Sequence, residues 1–166
     1  MIIIAKCPCR VSLLGGSSDL EWFVNSHGRG LSIGFALPIF SRVAVGFRSG
    51  NGKRGLLNYS SREEYINIKS ISHPIIRASL IRFSVKDPIE LASFGDALMG
   101  GGLGSSSSFA VALIKAINEL QGKKINNVEA AHLACELEIK DLNNPIGRQD
   151  QYLCAVGGVN FFEFRQ

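Results

Sequence analysis

The sequence predicts a mixed α+β fold, formed by a single domain of 166 residues. Short apolar, β-branched stretches indicate strands near the start, in the middle and at the end of the chain, while longer stretches repeat their apolar residues at helical spacing. These strands and helices do not alternate as they would in a regular βαβ fold. The third observation is a loop directly before the clearest helix, GGGLGSSSS at 100–108, which we call the glycine–serine loop.

The first part of the chain is predicted to form strands around one short helix. Proline cannot donate a backbone hydrogen bond to a strand ladder, so Pro8 and Pro38 are interpreted as interruptions. Asp19 is placed to N-cap a short helix that follows it. The predicted strands are 2–6, 10–14, a pair within 30–48 on either side of Pro38, and 56–69, with a turn at 49–55.

The second part is predicted to be mostly helical. Pro74 suits a first helical turn and opens a helix, and a strand over 89–94 leads into the glycine–serine loop. Helix 105–121 is the clearest element, because its apolar residues form one stripe and Gly122 follows it. The remaining predicted elements are a helix over 128–142, a short helix over 151–156 and a strand over 159–164.

Composition narrows the possible partners. Apolar residues make up 46% and charged residues 19%, which is typical of a globular protein. The net charge of +4 is spread without a block of lysine and arginine, so nucleic acid is not an expected partner. No apolar run approaches the ~20 residues that span a bilayer, and the start MIIIAKCPCR lacks the pattern of a signal peptide. We therefore expect a cytoplasmic protein with no membrane partner.

The four cysteines are expected to be reduced thiols. Cys7 and Cys9 are two residues apart, so within one strand they would point the same way and could not form an unstrained disulfide. The other two, Cys135 and Cys154, are isolated, which disfavours a zinc site. The three histidines fit no nucleophile or metal pattern.

The glycine–serine loop predicts a site for an anion. The first turn of a helix has unpaired N–H groups and a positive dipole end, and glycines let a ligand approach the backbone closely. Serine hydroxyls can bond phosphate oxygens or join a magnesium shell. A glycine-rich turn with one serine N-cap is the simpler alternative. The loop is not a Walker A motif, because no lysine follows Gly104, and no acidic residue follows at the Rossmann spacing.

Three segments resemble, in order, the motifs of the GHMP small-molecule kinases. PCRVSLLGGSSDL (8–20) resembles the first motif as it occurs in the heptose 7-phosphate kinase and fucokinase branch. GGGLGSSSSFAVAL (100–113) resembles the second motif, which wraps the ATP phosphates, and GRQDQYLCAVGGVNFFEF (147–164) resembles a further motif of that branch. The resemblance implies the GHMP N-terminal domain over 1–166, a ribosomal protein S5 domain 2-like fold with a mixed sheet and helices packed on one face.

The resemblance also implies an activity. It is the ATP- and Mg²⁺-dependent phosphorylation of a sugar or sugar phosphate, with the anomeric hydroxyl of D-glycero-D-manno-heptose 7-phosphate favoured over fucose or galactose. Family members carry a C-terminal, ferredoxin-like domain with a third motif, which does not follow Phe164, so we expect weak or absent catalysis from these residues alone. The alternative class is a truncated module that binds nucleotide or a partner chain, such as a second copy, through the face left by that domain.

The resemblance gives roles to two charged residues near the ends of the chain. Asp150 matches the family's catalytic aspartate, which takes the proton of the acceptor hydroxyl; its alternative is an N-cap of the following helix. Arg10 matches the arginine beside that aspartate, where it would favour the ionised carboxylate and neutralise the transferring phosphoryl group. Its alternative is a surface strand residue.

Glu138 and Ser106 are the predicted magnesium residues. Glu138 falls on one helical face with Ala131 and Ala134, so it is expected to point inward, whereas Glu136 is expected to be solvated. By resemblance Glu138 matches the glutamate that holds magnesium, with a surface charge as the alternative. Ser106 matches a serine that reaches the metal or the phosphate, with Ser105 and Ser107 as alternatives if the register shifts. The predicted ATP-binding residues are Gly100, Gly101, Gly102, Leu103, Gly104, Ser105, Ser106 and Ser107, and the predicted acceptor-binding residues are Arg10, Gly15, Gly16, Asp19, Gln149 and Asp150.

Overall fold

The computed structural model describes residues 1–50, 54–96 and 101–165. Residues 51–53 of the predicted turn at 49–55, and Gly100 of the glycine–serine loop, therefore lie outside the described residues. The strands are β1 (Ile2–Leu14), β2 (Arg29–Phe47), β3 (Gly55–Asn58), β4 (Arg62–Tyr65), β5 (Ile89–Gly95) and β6 (Val159–Arg165). The helices are α1 (Glu21–His27), α2 (Pro74–Arg82), α3 (Ser105–Leu120), α4 (Asn127–Cys135) and α5 (Gln149–Val156), with a 3₁₀ turn at Ile68–Ser70 and a π-helical segment at Glu136–Asp141.

The six described strands form one mixed sheet around the long strand β2. The strand order is β1-β2-β5-β3-β4, and β6 pairs with β2 as well. One edge of β2 pairs with β1, while the other edge pairs first with β6 and then with β5, all antiparallel. The β3–β5 pair is parallel. The mixed α+β prediction is therefore confirmed.

Two predicted strand breaks are wrong, because Pro8 and Pro38 both lie inside continuous strands. In the β1–β2 ladder, Pro8 pairs with Phe40 and Arg10 pairs with Ala36, so residues 37–39 of β2 bulge opposite a single residue of β1. Pro38 sits in that bulge, where a missing N–H removes no ladder hydrogen bond. The same region of β2 is where its other edge changes partner from β6 to β5.

The core lies between the sheet and the helices, which pack on one face as predicted. Helix α3 packs against β1 and β2 and buries most of its length, and α5 packs beside it on the same strands. Each large apolar side chain buried there contributes about 1.5–3 kcal/mol. The fully buried side chains include Val43 and Leu91 of the sheet and Leu113, Ile114 and Ile117 of α3.

Other predictions differ from the structure in detail. The predicted helix 128–142 is α4 followed by the π-helical segment, and the predicted strand 56–69 is two short strands and a 3₁₀ turn. The predicted helix 105–121 and the strands 89–94 and 159–164 are confirmed within a residue or two.

All four cysteines are free and buried, and burial raises the pKa of Cys7 to about 12. Among the described residues, no helix is long and apolar enough to cross a membrane.

Candidate active site

The described part of the glycine–serine loop ends in a helix start without a side-chain cap. Gly104 is the N-cap residue of α3, with φ of 69°, and no side chain caps it. The first helical hydrogen bond runs from the Ser108 N–H to the Gly104 carbonyl (2.9 Å). The amides of Ser105, Ser106 and Ser107 therefore have no helical partner. The alternative of a serine N-cap is wrong, and the positive end of α3 is left for another acceptor.

Arg10 of β1 holds this loop in place. Its backbone N–H donates to the Leu103 carbonyl (2.9 Å), and its Nη1 donates to the Gly102 carbonyl (2.6 Å). A Cβ added at Gly104 would lie 3.0 Å from Cγ of Arg10 and would also be strained by the positive φ. Arg10 thus stabilises the loop conformation, and glycine at position 104 leaves the space that the Arg10 side chain occupies.

The same guanidinium binds Asp150 in the first turn of α5. Nε donates to Oδ1 (2.7 Å), and Nη2 forms an ion pair with Oδ2. Burial lowers the pKa of Arg10, but the hydrogen bond and charge of Asp150 outweigh it and leave that pKa above its usual value. Both alternatives are wrong: the Arg10 side chain is only 12% exposed, and α5 has no side-chain cap. The Asp150 side chain is 27% exposed, so a ligand can reach its carboxylate.

Glu138 points inward, as predicted, and is 1% exposed. Its Oε1 accepts a hydrogen bond from Ser106 Oγ (3.1 Å), and its Oε2 accepts from Ser107 Oγ (3.0 Å) and Gln151 Nε2 (2.7 Å). Burial raises the pKa of Glu138, the three donors oppose that effect, and the charge of Asp150 adds to it. A buried carboxylate therefore faces the first turn of α3, and the alternative of a surface charge is wrong.

The π-helical segment that carries Glu138 is clamped by α2. Arg82 donates from Nη1 to Asp141 Oδ2 (2.6 Å) and from Nη2 to Glu136 Oε2. The Glu136 side chain is 23% exposed and also pairs with Lys140 (2.9 Å). Glu136 is therefore only partly solvated, because an arginine from another helix pairs with it at this position.

Asp19 and Gln149 meet on the other side of the α5 start. Asp19 is 2% exposed, and its Oδ2 accepts the Gln149 N–H (2.8 Å), so it does not N-cap α1, whose N-cap is Leu20. Gln149 Oε1 accepts a hydrogen bond from Ser12 Oγ (2.9 Å). A Cβ on Gly147 would lie 1.9 Å from Asp19 Oδ2, which leaves room only for glycine there.

The two glycines of the first motif have different surroundings. Gly15 has φ of +85°, and a Cβ there would lie 1.8 Å from the Leu31 carbonyl oxygen of β2. Packing against β2 is therefore sufficient reason for glycine at this position, and a role in acceptor binding stays a prediction. A Cβ on Gly16 would meet only Gln149 Nε2, at 3.9 Å.

Sequence reasoning missed three residues that build this region: Ser12, Gly147 and Gln151. All three lie within the motif-like segments 8–20 and 147–164, which was the available signal. A cavity of about 440 Å³ also opens beside Asp19, between α1, the π-helical segment, α5 and β6. Its lining includes Arg148, Tyr152 and Ile139.

Residues 71–158, more than half of the chain, match the family described as GHMP kinases N terminal domain. The chain belongs to the GHMP kinases. This confirms the resemblance expected from the three motifs.

Relatives among the GHMP kinases match nearly the whole chain. It is 29% identical to the D-glycero-alpha-D-manno-heptose 7-phosphate kinase of Campylobacter jejuni, over 98% of this chain and 50% of that protein. The crystal structure of a D-glycero-D-manno-heptose 1-phosphate kinase from Bacteroides thetaiotaomicron superposes with a TM-score of 0.86 and 26% identity, covering 100% of this chain and 57% of that one. Methanococcus jannaschii mevalonate kinase shares the fold, with a TM-score of 0.73 and 19% identity over 99% of this chain and 54% of that one. The chain thus spans about half the length of the GHMP kinases it matches.

Proposed function

We propose that residues 1–166 form the ATP-binding domain of a sugar kinase that transfers the γ-phosphoryl group to a sugar-phosphate hydroxyl. One observation carries this proposal: two carboxylates meet the glycine–serine loop from different elements. Asp150 reaches it through Arg10, which donates to Gly102. Glu138 reaches it through Ser106 and Ser107. Phosphoryl transfer needs positioned phosphates, neutralised charge and a group that accepts the hydroxyl proton, and this arrangement offers a residue for each.

In this proposal the ATP phosphates lie at the start of α3. The amides of Ser105 to Ser107 lack helical partners, and the uncapped helix end favours an anion. Gly101 and Gly102 are exposed, so the loop is open to a ligand on its outer side. The proposed ATP contacts run from Gly101 to Ser107, and Gly100 belongs to the same motif.

The side-chain oxygens beside the glycine–serine loop fit the coordination that Mg²⁺ prefers. Glu138 and Ser106 supply carboxylate and hydroxyl oxygens, the ligand type that this hard cation takes together with phosphate oxygens. When bound there, magnesium would neutralise charge on the phosphates during transfer. Glu138 and Ser106 would hold it.

Asp150 is the proposed proton acceptor for the acceptor hydroxyl. Its carboxylate is partly exposed, and its second role, pairing with Arg10, keeps it oriented. Arg10 is proposed to neutralise the transferring group as well. Gly15, Gly16, Asp19 and Gln149 surround the same end of α5 and are proposed to contact the acceptor.

The acceptor is proposed from the relatives. Two proteins similar to this chain are named as kinases of a D-glycero-D-manno-heptose phosphate, and the two names differ in the position of the phosphate. We favour the anomeric hydroxyl of D-glycero-D-manno-heptose 7-phosphate, in the cytoplasm. Fucose and galactose are the competing acceptors.

Phosphoryl transfer tests this proposal directly. The purified chain is incubated for hours with ATP, Mg²⁺ and each of the three acceptors, because turnover by a chain half as long as its relatives is expected to be slow. We expect phosphorylated heptose, with a rate reduced about 10²–10⁴-fold in Asp150→Asn. Asp87→Asn is the matched control, since Asp87 is exposed and lies in the connection between α2 and β5. An active Asp150→Asn variant would remove Asp150 as the base, and a chain that does not bind an ATP analogue would refute the nucleotide site.

An apolar strip on the uncovered face of the sheet favours a second candidate, a module that associates with another chain. Phe161 and Leu14 both pair with Ile33, and Val159 pairs with Phe35, so these side chains share one face. Val159 is 79% exposed and Phe161 is 62% exposed. Sedimentation at increasing concentration tests it: this candidate predicts association that Phe161→Ser abolishes, and a monomer at all concentrations contradicts self-association.

A further inference from the structure

Gln151 is a polar residue on the buried face of α5. The other buried residues of this helix are Leu153, Cys154 and Ala155, and Gln151 itself is fully buried. Its Nε2 donates to Glu138 Oε2 (2.7 Å), while its buried Oε1 has no partner among the described residues. An amide buried with an unpaired carbonyl is unfavourable, so packing alone would be better served by leucine or methionine. The bond to Glu138 is therefore what the glutamine provides.

The two carboxylate oxygens of Glu138 are held differently. Oε2 accepts two hydrogen bonds, from Ser107 and Gln151. Oε1 accepts one, from Ser106. Ser107 is 3% exposed, whereas Ser106 is exposed. Oε2 is thus the inner oxygen, fixed from two sides, and Oε1 is the outer oxygen, beside a hydroxyl that solvent can reach.

We propose that Gln151 is a positioning residue that anchors the inner oxygen of Glu138, so that the outer oxygen and the Ser106 hydroxyl are left to bind a divalent cation. The inference rests on the proposed function, because the cation is the one that accompanies the nucleotide. It also selects Ser106 over Ser107, because the Ser107 hydroxyl is buried against the inner oxygen, whereas Ser106 is exposed. Outer partners of this kind orient metal-binding carboxylates and raise metal affinity.

The test measures cation binding rather than turnover. Mn²⁺ binding to the 166-residue chain is followed by electron paramagnetic resonance, in the presence of a non-hydrolysable ATP analogue. Gln151→Met keeps the volume of the side chain and removes the donor. We expect its Mn²⁺ dissociation constant to rise at least tenfold, while the affinity for the analogue in EDTA stays within twofold of wild type.

Gln121 supplies a matched control. It also donates one hydrogen bond from Nε2, to the Phe83 carbonyl (2.9 Å), and its Oε1 is likewise buried without a partner among the described residues. Gln121 is remote from Glu138, so Gln121→Met should leave the Mn²⁺ dissociation constant within twofold of wild type. An equal loss in both glutamine variants would mean a general effect on folding and would overturn the inference.

Ser107→Ala provides a second route should Gln151→Met fail to fold. It removes the other hydrogen bond to Oε2 at a helical position that favours alanine, and a several-fold rise in the Mn²⁺ dissociation constant is expected. Wild-type Mn²⁺ affinity in either variant overturns the positioning role and leaves the proposed function intact. A wild-type chain that binds neither the analogue nor Mn²⁺ overturns both.

Discussion

Two glycine-rich segments of this chain have nearly the same composition and opposite surroundings. The segment Gly15–Ser18, which we call the first loop, is folded against β2. The Ser18 hydroxyl lies within hydrogen-bond distance of the Gly15 and Leu31 carbonyls, to either of which it can donate, and it accepts from the Leu31 N–H. A Cβ on Gly30 would lie 1.8 Å from the Ser18 carbonyl oxygen. The N–H and the hydroxyl of Ser18 are therefore satisfied within the protein.

The glycine–serine loop leaves the backbone amides of Ser105 to Ser107 without helical partners. The helix start that follows it has no side-chain cap, and its serine hydroxyls point to a buried carboxylate. A Cβ on Gly102 would meet no atom within 4 Å, so this glycine is not required by packing. Glycine content alone does not distinguish a packed loop from a binding loop. The distinction lies in whether the backbone N–H groups of the loop already have acceptors, as the Ser18 N–H has in the Gly15 carbonyl.

The largest effect is expected from Gly15→Ala. The new Cβ would collide with the Leu31 carbonyl, and the alanine would be held at a positive φ. The free energy of unfolding should therefore fall by about 3 kcal/mol. Chemical denaturation measures it, with Gly28→Ala as control. Gly28 has φ of +78° but open space around it, so only strain of about 1 kcal/mol is expected there. Equal losses in the two variants would mean that the first loop is not packed as described.

The next effect separates binding from stability. In Gly104→Ala the added Cβ meets Arg10 at 3.0 Å, so the loop or the guanidinium must shift. We expect nucleotide affinity to fall about tenfold, with a loss of unfolding free energy smaller than that of Gly15→Ala. Gly102→Ala, with a similar φ of +70° and no neighbour within 4 Å, should weaken binding far less. Isothermal titration with an ATP analogue decides this, and identical affinities in both variants would contradict the proposed contact.

The smallest effect concerns His73, the N-cap residue of α2, which packs against α3. His73 lies 5.3 Å, ring to ring, from Phe109 of α3, and burial lowers its pKa, although the charge of Glu63 opposes this. A depressed pKa means that the unfolded chain binds the proton more readily, so stability is lost as the pH falls through about 6.5. Because His73 is partly exposed, we expect a loss below about 1 kcal/mol relative to His73→Asn, which keeps an N-cap side chain. Denaturation curves at pH 7.5 and 5.5 measure it, and parallel behaviour of the two proteins would contradict it.

The sequence predicted the parts of this molecule that local chemistry determines. The amphipathic pattern of α3 predicted that helix correctly, and the alanines on the same face as Glu138 correctly predicted that its side chain points inward. Both features depend on neighbours within a few helical turns. Pro38 was misinterpreted because the bulge that tolerates it is created by pairing with β1, far away along the chain. Asp19 was given an N-cap role because its actual donor, the Gln149 N–H, is 130 residues distant. The π-helical segment left no periodic signal in the sequence.

The contacts at the start of α5 limit which sequence changes the preceding segment, residues 142–148, can accept. Three successive residues bind three different partners, two on β1 and one on the π-helical segment: Gln149 contacts Ser12, Asp150 contacts Arg10, and Gln151 contacts Glu138. Adding or removing one residue would turn a helix by about 100° about its axis, so every one of these partners would be exchanged at once. Apart from Gly147, which must be glycine, the stretch 142–148 is therefore expected to tolerate changes in residue type better than changes in length.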